Sequence, residues 1–197
     1  MRNVIVTLVM LVMGSALAQA QTEKGRWTVG AQVGDFGYSG SSEPVKSRSF
    51  SASLSPSVGY FVAKNLAVGA SLPVSYAYDS YNFTGTGRSE TNGFSVGLSP
   101  FARYYVGSAN LRPFVNASIS FQQFWISSTR FGAPEAQHSN YNVTNYQVGG
   151  GAAYFINNTV SLDASLNYSN YLGGSAGLLQ TQGRLGLNIG FRLFFGK

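Results

Sequence analysis

The sequence predicts an all-β chain, an eight-stranded antiparallel up-and-down transmembrane β-barrel, and three observations lead there. The first is a repeated hairpin. Gly59 to Tyr76 recurs at Ala153 to Tyr168: without a gap, Tyr60-Phe61 meets Tyr154-Phe155, Leu66 and Val68 meet Val160 and Leu162, and Ala70-Ser71-Leu72 meets Ala164-Ser165-Leu166. A looser third copy runs from Tyr104-Tyr105-Val106 through Gly107-Ser108-Ala109-Asn110 to Ala117-Ser118-Ile119. Each copy reads as an aromatic pair, a short turn, and a strand with period-two alternation. The second observation is the solvent that the composition implies. The chain is 44% hydrophobic but only 10% charged, whereas a soluble domain carries about 25% charged residues. A mean hydropathy of +0.02, with no apolar run of ~18 residues after the N-terminus, excludes a bundle of membrane helices. A membrane barrel remains, because its apolar and polar residues alternate and average out. The third is charge placement: Arg103, Arg112, Asp163, Arg184 and Arg192 all fall on the Ser/Gly/Asn face of their strands.

In chain order, Met1-Arg2-Asn3 is a short positive start, Val4 to Met13 is apolar, and Ala18-Gln19-Ala20 places small residues before a cut. Residues 1–20 are therefore expected to be a secretory signal peptide, with residues 21–197 forming the barrel. The apolar core is too short to span a bilayer. With no Cys, neither a lipid anchor at the cut nor a disulfide framework is expected.

The first strand is expected from about Arg26 to Asp35, with Trp27, Val29, Ala31 and Val33 on one face. A loop rich in Gly, Ser and Pro44 follows to Ser47. In the second strand Phe50, Ala52, Leu54, Pro56, Val58 and Tyr60 alternate with serines and Gly59, over about eleven residues that suit a tilted span. After the Ala63-Lys64-Asn65 turn, Leu66 to Tyr76 makes the third strand, and a polar loop is expected from about Asp79 to Asn92. Phe94 to Tyr104 and Pro113 to Phe121 give strands four and five. Ile126 to Asn142 is expected to be the longest loop. Tyr146 to Tyr154 and Val160 to Tyr168 form the sixth and seventh, a Gly-rich loop spans Ser169 to Gln180, and Leu185 to Phe195 ends the barrel.

An Arg at mid-bilayer on the lipid side would cost about 2–4 kcal/mol, so the apolar face is expected to meet lipid. In a lipocalin-like barrel with an apolar pocket the same strands would turn bare Ser and Gly to water, with few charges to keep the protein soluble. Closure follows: an open edge in hydrocarbon would leave backbone groups unpaired, so the last strand should pair with the first. Trp27, Tyr60, Tyr104, Tyr154 and Phe195 gather near the short turns. Tyr76, Phe94, Phe121, Trp125, Tyr146 and Tyr168 gather near the loops. Two interfacial girdles are implied.

The leader, the eight-strand meander, the Tyr-Phe turn repeats and the ending Asn188-Ile189-Gly190-Phe191-Arg192-Leu193-Phe194-Phe195 resemble the small outer-membrane β-barrels of OmpA and OmpX type. The resemblance implies a bacterial outer membrane, with short turns and termini on the periplasmic side. It also implies that Asn188, Gly190, Leu193 and Phe195 form the last-strand signal read by the outer-membrane barrel assembly machinery. Gly196-Lys197 after Phe195 departs from that signal. The peptidoglycan-binding domain of full OmpA proteins is not expected here.

Eight strands enclose an interior that side chains just fill. Arg26, Arg103, Arg112, Asp163 and Arg192 are expected to form a lumen polar cluster near the periplasmic end, meeting Asn116, Gln147, carbonyls and water. The same residues could instead make a basic vestibule that attracts anions. The expected role is non-enzymatic, structural or surface-interacting, such as envelope integrity or adhesion. The alternatives are a narrow porin-like channel or hydrophobic-ligand conduit, and a hydrolase acting on lipid A. Lipid A deacylases are small barrels using Ser, His and an acid, and the sole His, His138, sits beside Ser139 and three residues after Glu135. A Ser adjacent to its His normally points elsewhere. One His and no Cys leave no transition-metal site, and Asp79, Glu90 and Glu135 are too sparse for calcium. No cofactor is expected.

Nucleic acid is a poor partner by charge distribution, since removing Arg2 with the leader takes the net charge from +6 to +5, and much of that lies in the lumen or turns. The expected partners are outer-membrane lipid and lipopolysaccharide, whose phosphates Lys46, Arg48, Arg88 and Arg130 could touch. The loops offer aromatic and polar groups (Tyr81, Phe83, Phe131, Tyr141) to an extracellular ligand.

Overall fold

The computed structural model describes residues 22–41, 45–83, 87–130, 132, 135–174 and 183–196. The leader, Gln21, Pro44, Phe131 and Lys197 lie outside the described residues, as does the Phe83 side chain. Nine strands are described: β1 Trp27–Ser41, β2 Val45–Ala63, β3 Leu66–Ser71, β4 Val74–Phe83, β5 Gly87–Tyr105, β6 Leu111–Thr129, β7 Gln137–Phe155, β8 Val160–Gly174 and β9 Arg184–Phe195. Every pairing is antiparallel, and β1 pairs β2 on one side and β9 on the other, with Trp27 opposite both Tyr60 and Phe195. The sheet is thus a closed ring, which leaves no edge to face hydrocarbon.

The expected third strand is present but broken. β3 and β4 both lie between β2 and β5, so the nine strands fill eight positions around the ring. Pro73 has no N–H to give to the ladder, and pairing lapses between Ser71 and Val74. Flanking bonds hold the seam: Leu72 N donates to Pro56 O and Gly97 N to Pro73 O, each at 2.9 Å.

Sidedness follows the charge argument. Leu54, Leu166, Leu187 and Ile189 are exposed on the outer face, while Arg103, Arg112, Asp163 and Arg192 are buried within the ring. From Phe94 to Tyr104 on β5 the outward face runs between the two girdles. Ten residues at about 3.3 Å each, tilted about 40°, give about 25 Å, the height of the apolar band of such barrels.

The four expected loops are a correction over their described residues, with 42–44, 84–86, 131, 133–134 and 175–180 lying outside the described residues. β1 continues to Ser41 and β2 starts at Val45, β4 and β5 reach Phe83 and Gly87, β6 and β7 reach Thr129 and Gln137, and β8 reaches Gly174. Hydrophobic alternation ends where the strands leave lipid, because both faces there meet water. The ladder does not end, because neighbouring backbones still satisfy each other. On β5 the residues beyond Phe94 add about 18 Å of wall at the same rise and tilt, a raised rim in place of loose loops.

The short turns match the reading. Lys64-Asn65 reverses β2 into β3 with Asn65 at φ 64°, beside a bulge between Phe61 and Ala63, and Asn is among the few residues that accept this conformation. At the β7–β8 turn, Asn157 Oδ1 accepts from Thr159 N at 2.7 Å and Val160 N at 2.9 Å, an Asx turn.

Candidate functional site

Period two sends neighbouring residues to opposite faces, so each aromatic doublet at a strand end divides. Tyr60, Tyr104, Tyr154 and Phe195 point outward into the girdle, while Phe61, Tyr105, Phe155 and Phe194 turn inward and are buried. Phe114 joins them, and the five rings form one cluster across the turn end of the lumen. Phe155 and Phe194 have centroids 5.1 Å apart, Phe61 and Phe194 6.1 Å, and Tyr105 and Phe114 5.8 Å.

Arginines lie against this floor. The Arg103 guanidinium sits 4.1 Å from the Phe114 ring centre and that of Arg112 4.6 Å from Phe155, within cation–π range. Arg112 Nη1 donates to Thr22 Oγ1 at 2.7 Å, and its Nε donates to Ala109 O at 3.0 Å. The segment at Thr22 crosses under the ring: Asn65 N donates to Thr22 O at 2.8 Å, Gly25 N to Phe61 O at 2.9 Å, and Glu23 pairs with Lys64 at 3.4 Å.

One layer further in lies an ion triad. Asp163 Oδ2 accepts from Arg103 Nη1 at 2.5 Å and from Arg192 Nε at 3.4 Å, and Asp163 Oδ1 accepts from Ser161 at 2.7 Å. Two buried guanidinium ions therefore share one carboxylate. Of the expected cluster, the structure joins Arg103, Asp163 and Arg192. It seats Arg112 and Arg26 at the turn end, where Arg26 Nη2 donates to Phe194 O at 3.3 Å. Asn116 bonds Asn167 at 3.1 Å, and Ser118 bonds Gln147 at 3.4 Å.

Above the triad the lumen is hollow. A cavity of about 420 Å³ extends from Phe101, Arg103 and Arg192 up to Phe124, Tyr171 and Arg184 near the loop end. Its walls are mostly Ser, Asn and Gln. The expectation of an interior filled along its whole length holds only for the floor, because Ser and Gly on β2, β3 and β5 are too small to meet across the ring. Phe101 is the exception: a Cβ on Gly69 would lie 2.8 Å and one on Gly59 3.3 Å from its ring, so the two glycines make room for it. Near the mouth Phe124 stacks on Tyr141 at 5.2 Å, and burial raises the Tyr141 phenol above its ordinary value.

On the outside, at the upper girdle, Tyr76, Phe94 and Trp125 line a groove of about 420 Å³ with Asn92, His138 and Asn140. Phe94 stacks on Trp125 at 5.9 Å, and Tyr76 donates to Asn92 Oδ1 at 2.9 Å. Ser139 borders the same groove, but it follows His138 directly in β7, and strand alternation turns consecutive side chains to opposite faces. Among the described residues no group of His, Cys, Asp and Glu could hold a metal. Above the girdle Arg88 Nη2 lies 3.0 Å from the Tyr78 hydroxyl and 2.5 Å from Glu90. The Tyr78 bond first, and then the Glu90 charge, raise the Arg88 guanidinium.

The residues expected to form the assembly signal lie where alternation puts them. Leu193 and Phe195 face outward, and Asn188 and Gly190 lie on the inward face, opposite Gly34 and Gln32 of β1. What sequence reasoning missed is the floor. Its signal was the second ring of each doublet, which the strict alternation already assigned to the inside.

No curated protein matches this chain. Among solved structures it is similar to a major outer membrane protein of Thermus thermophilus, at 16% identity and TM-score 0.55, over 88% of this chain and 100% of that one. It is also similar to Ail, the attachment invasion locus protein of Yersinia pestis, at 10% identity and TM-score 0.51, over 87% and 99%. Neisserial surface protein A aligns at 20% identity and TM-score 0.50, over 87% and 98%. These likenesses agree with the ring in fold. Residues 6–192 match the outer membrane protein beta-barrel domain family, and the chain belongs to that family of outer-membrane barrels.

Proposed function

We propose that this protein is a non-conducting, non-enzymatic barrel that works by its presence in the outer membrane and by the rim it raises outside, in envelope integrity or surface attachment. The closed floor carries this reading: five buried rings with arginines packed on them fill the turn end of the lumen, and ions do not cross such a layer. The polar walls of the cavity above speak against a hydrophobic-ligand conduit. The separation of His138 from Ser139 speaks against hydrolysis through that pair.

In this reading residues 1–20 are a leader removed on export, and the β9 ending engages the barrel assembly machinery. The groove at Phe94 and Trp125 takes outer-leaflet lipid: its rings suit acyl chains, and Asn92 and His138 suit a polar headgroup. Arg48, Arg88 and Arg130 stand above it to meet lipopolysaccharide phosphates. Two measurements test the proposal. Purified protein in planar bilayers should show no steady conductance, and an anion-selective current would overturn the closed-lumen reading. A deletion strain should show raised envelope permeability or reduced attachment, and unchanged behaviour in both would remove the proposed role.

A further inference from the structure

Three arginines border the lumen cavity and, among the described residues, no carboxylate does. Asp163 lies beneath the cavity and is already shared by Arg103 and Arg192, so the base of the cavity keeps one positive charge in excess. Arg184 also lines the cavity, near the mouth. Two of these side chains are almost wholly buried, Arg103 at 4% and Arg192 at 3% exposure. Even so, Arg103 Nε, Arg192 Nη1 and Gln32 Nε2 have no hydrogen-bond partner, nor does the acceptor Asn116 Oδ1. All four belong to residues that line the cavity.

Unpartnered donors in a protein interior are costly, and charged ones most of all. A barrel that needed only a solid core could have placed a second carboxylate beside Asp163. The surplus of donors at the base, the hydroxyls and amides of the walls, and the Phe124 and Tyr171 rings at the mouth together match one kind of guest. It is anionic at one end to meet the guanidinium groups, and hydroxylated along its length to meet Ser and Asn. The volume of about 420 Å³ falls in the range of small-molecule sites, and the floor closes it toward the periplasm.

We infer that the lumen is an outward-open binding site for a small polyhydroxylated carboxylate, of the sugar-acid class, held by Arg192 and Arg103 at the base of the cavity and by Arg184 at its mouth. This deepens the surface-interaction reading and rests on it only for the side from which the guest enters. The guest is either a free sugar acid or the acidic end of a glycan chain, since both present the same group.

Calorimetric titration of the full chain, refolded in detergent micelles, tests it with sodium glucuronate, glucose, sodium acetate and an oligoglucuronate. The expected result is saturable binding of glucuronate, at least ten-fold tighter than glucose or acetate. Arg192→Gln should weaken it at least ten-fold. Ser55→Phe, which fills the cavity from β2, a strand that carries no residue of the triad, should abolish it, and remains informative if Arg192→Gln does not fold. Tighter binding of the oligomer than of the monomer assigns the site to glycan ends, and the reverse assigns it to free solute. Binding that glucose or acetate matches, or that survives Ser55→Phe, overturns the inference, as does no binding at all. A barrel that conducts in bilayers yet binds glucuronate would sink the closed-lumen reading alone.

Discussion

Asp163→Asn is the most severe conservative change this barrel offers. The carboxylate is 2% exposed and accepts from two guanidinium groups, at 2.5 Å from Arg103 and 3.4 Å from Arg192. Each charge-assisted bond contributes about 1.5–3 kcal/mol, and the longer one belongs at the low end. The amide that replaces the carboxylate brings its own N–H groups toward two cations that then face each other uncompensated. Removing one partner of a buried pair costs about 3–5 kcal/mol, and the shared carboxylate places this case in the upper part of that range. Equilibrium urea unfolding in lipid vesicles, followed by the fluorescence of Trp27 and Trp125, measures the loss. The double variant Asp163→Asn/Arg103→Met should recover at least about 1 kcal/mol relative to Asp163→Asn, because one of the two stranded charges is gone. A loss below about 1 kcal/mol for Asp163→Asn, or no coupling in the double variant, would refute the view that this carboxylate neutralises the lumen.

Phe194→Ala should cost about 3–5 kcal/mol, and Phe155→Ala with Phe194→Ala should open the floor and give a measurable single-channel current that the parent lacks. Ile189→Arg, near mid-bilayer on the outer face, should lose about 2–4 kcal/mol in the same urea assay, and a spin label at position 54 should be quenched by oxygen rather than by a water-soluble relaxant. Asn65→Ala should be less stable than Asn65→Gly by roughly 1–2 kcal/mol, since both lose the side-chain bond that Thr22 Oγ1 donates to Asn65 Oδ1 but only alanine resists a positive φ. Equal stabilities in that comparison would place Asn65 outside the left-handed region.

Within the membrane the sequence was almost fully legible. Leu54, Val58, Leu187 and Ile189 alternate with Ser and Gly because one face meets hydrocarbon and the other does not. That single contrast fixes strand, register and sidedness together. Beyond the girdles the contrast vanishes. Ser47, Arg48 and Ser49 face Tyr81, Ser80 and Asp79 across a regular ladder, yet nothing in their polarity distinguishes strand from loop, so the rim was read as connections. Pro73 was legible as a strand residue but not as a break, because its cost lies in one missing donor rather than in any side-chain pattern. The triad was legible from charge alone as far as Arg103, Asp163 and Arg192. Arg26 and Arg112 were grouped with them because alternation gives the face of a residue and not its height in the lumen.

Height is what separates the functions of this interior. At the turn end the inward rings exclude water, so Arg103 and Arg112 lie on aromatic faces and the floor is rigid. One layer up, Asp163 offsets the charge of one arginine and leaves the other to whatever enters from above. Higher still, hydroxyls and amides replace rings and the walls draw apart. The low-dielectric floor strengthens each Coulombic contact at the base of the cavity, while the open upper half lets a solute reach it. Substitutions in the floor should therefore change stability and leakage together, whereas a change such as Ser55→Phe should alter only what the cavity can hold. If Ser55→Phe destabilised the barrel as much as Phe194→Ala, the two layers would be one core and the division of roles would fail.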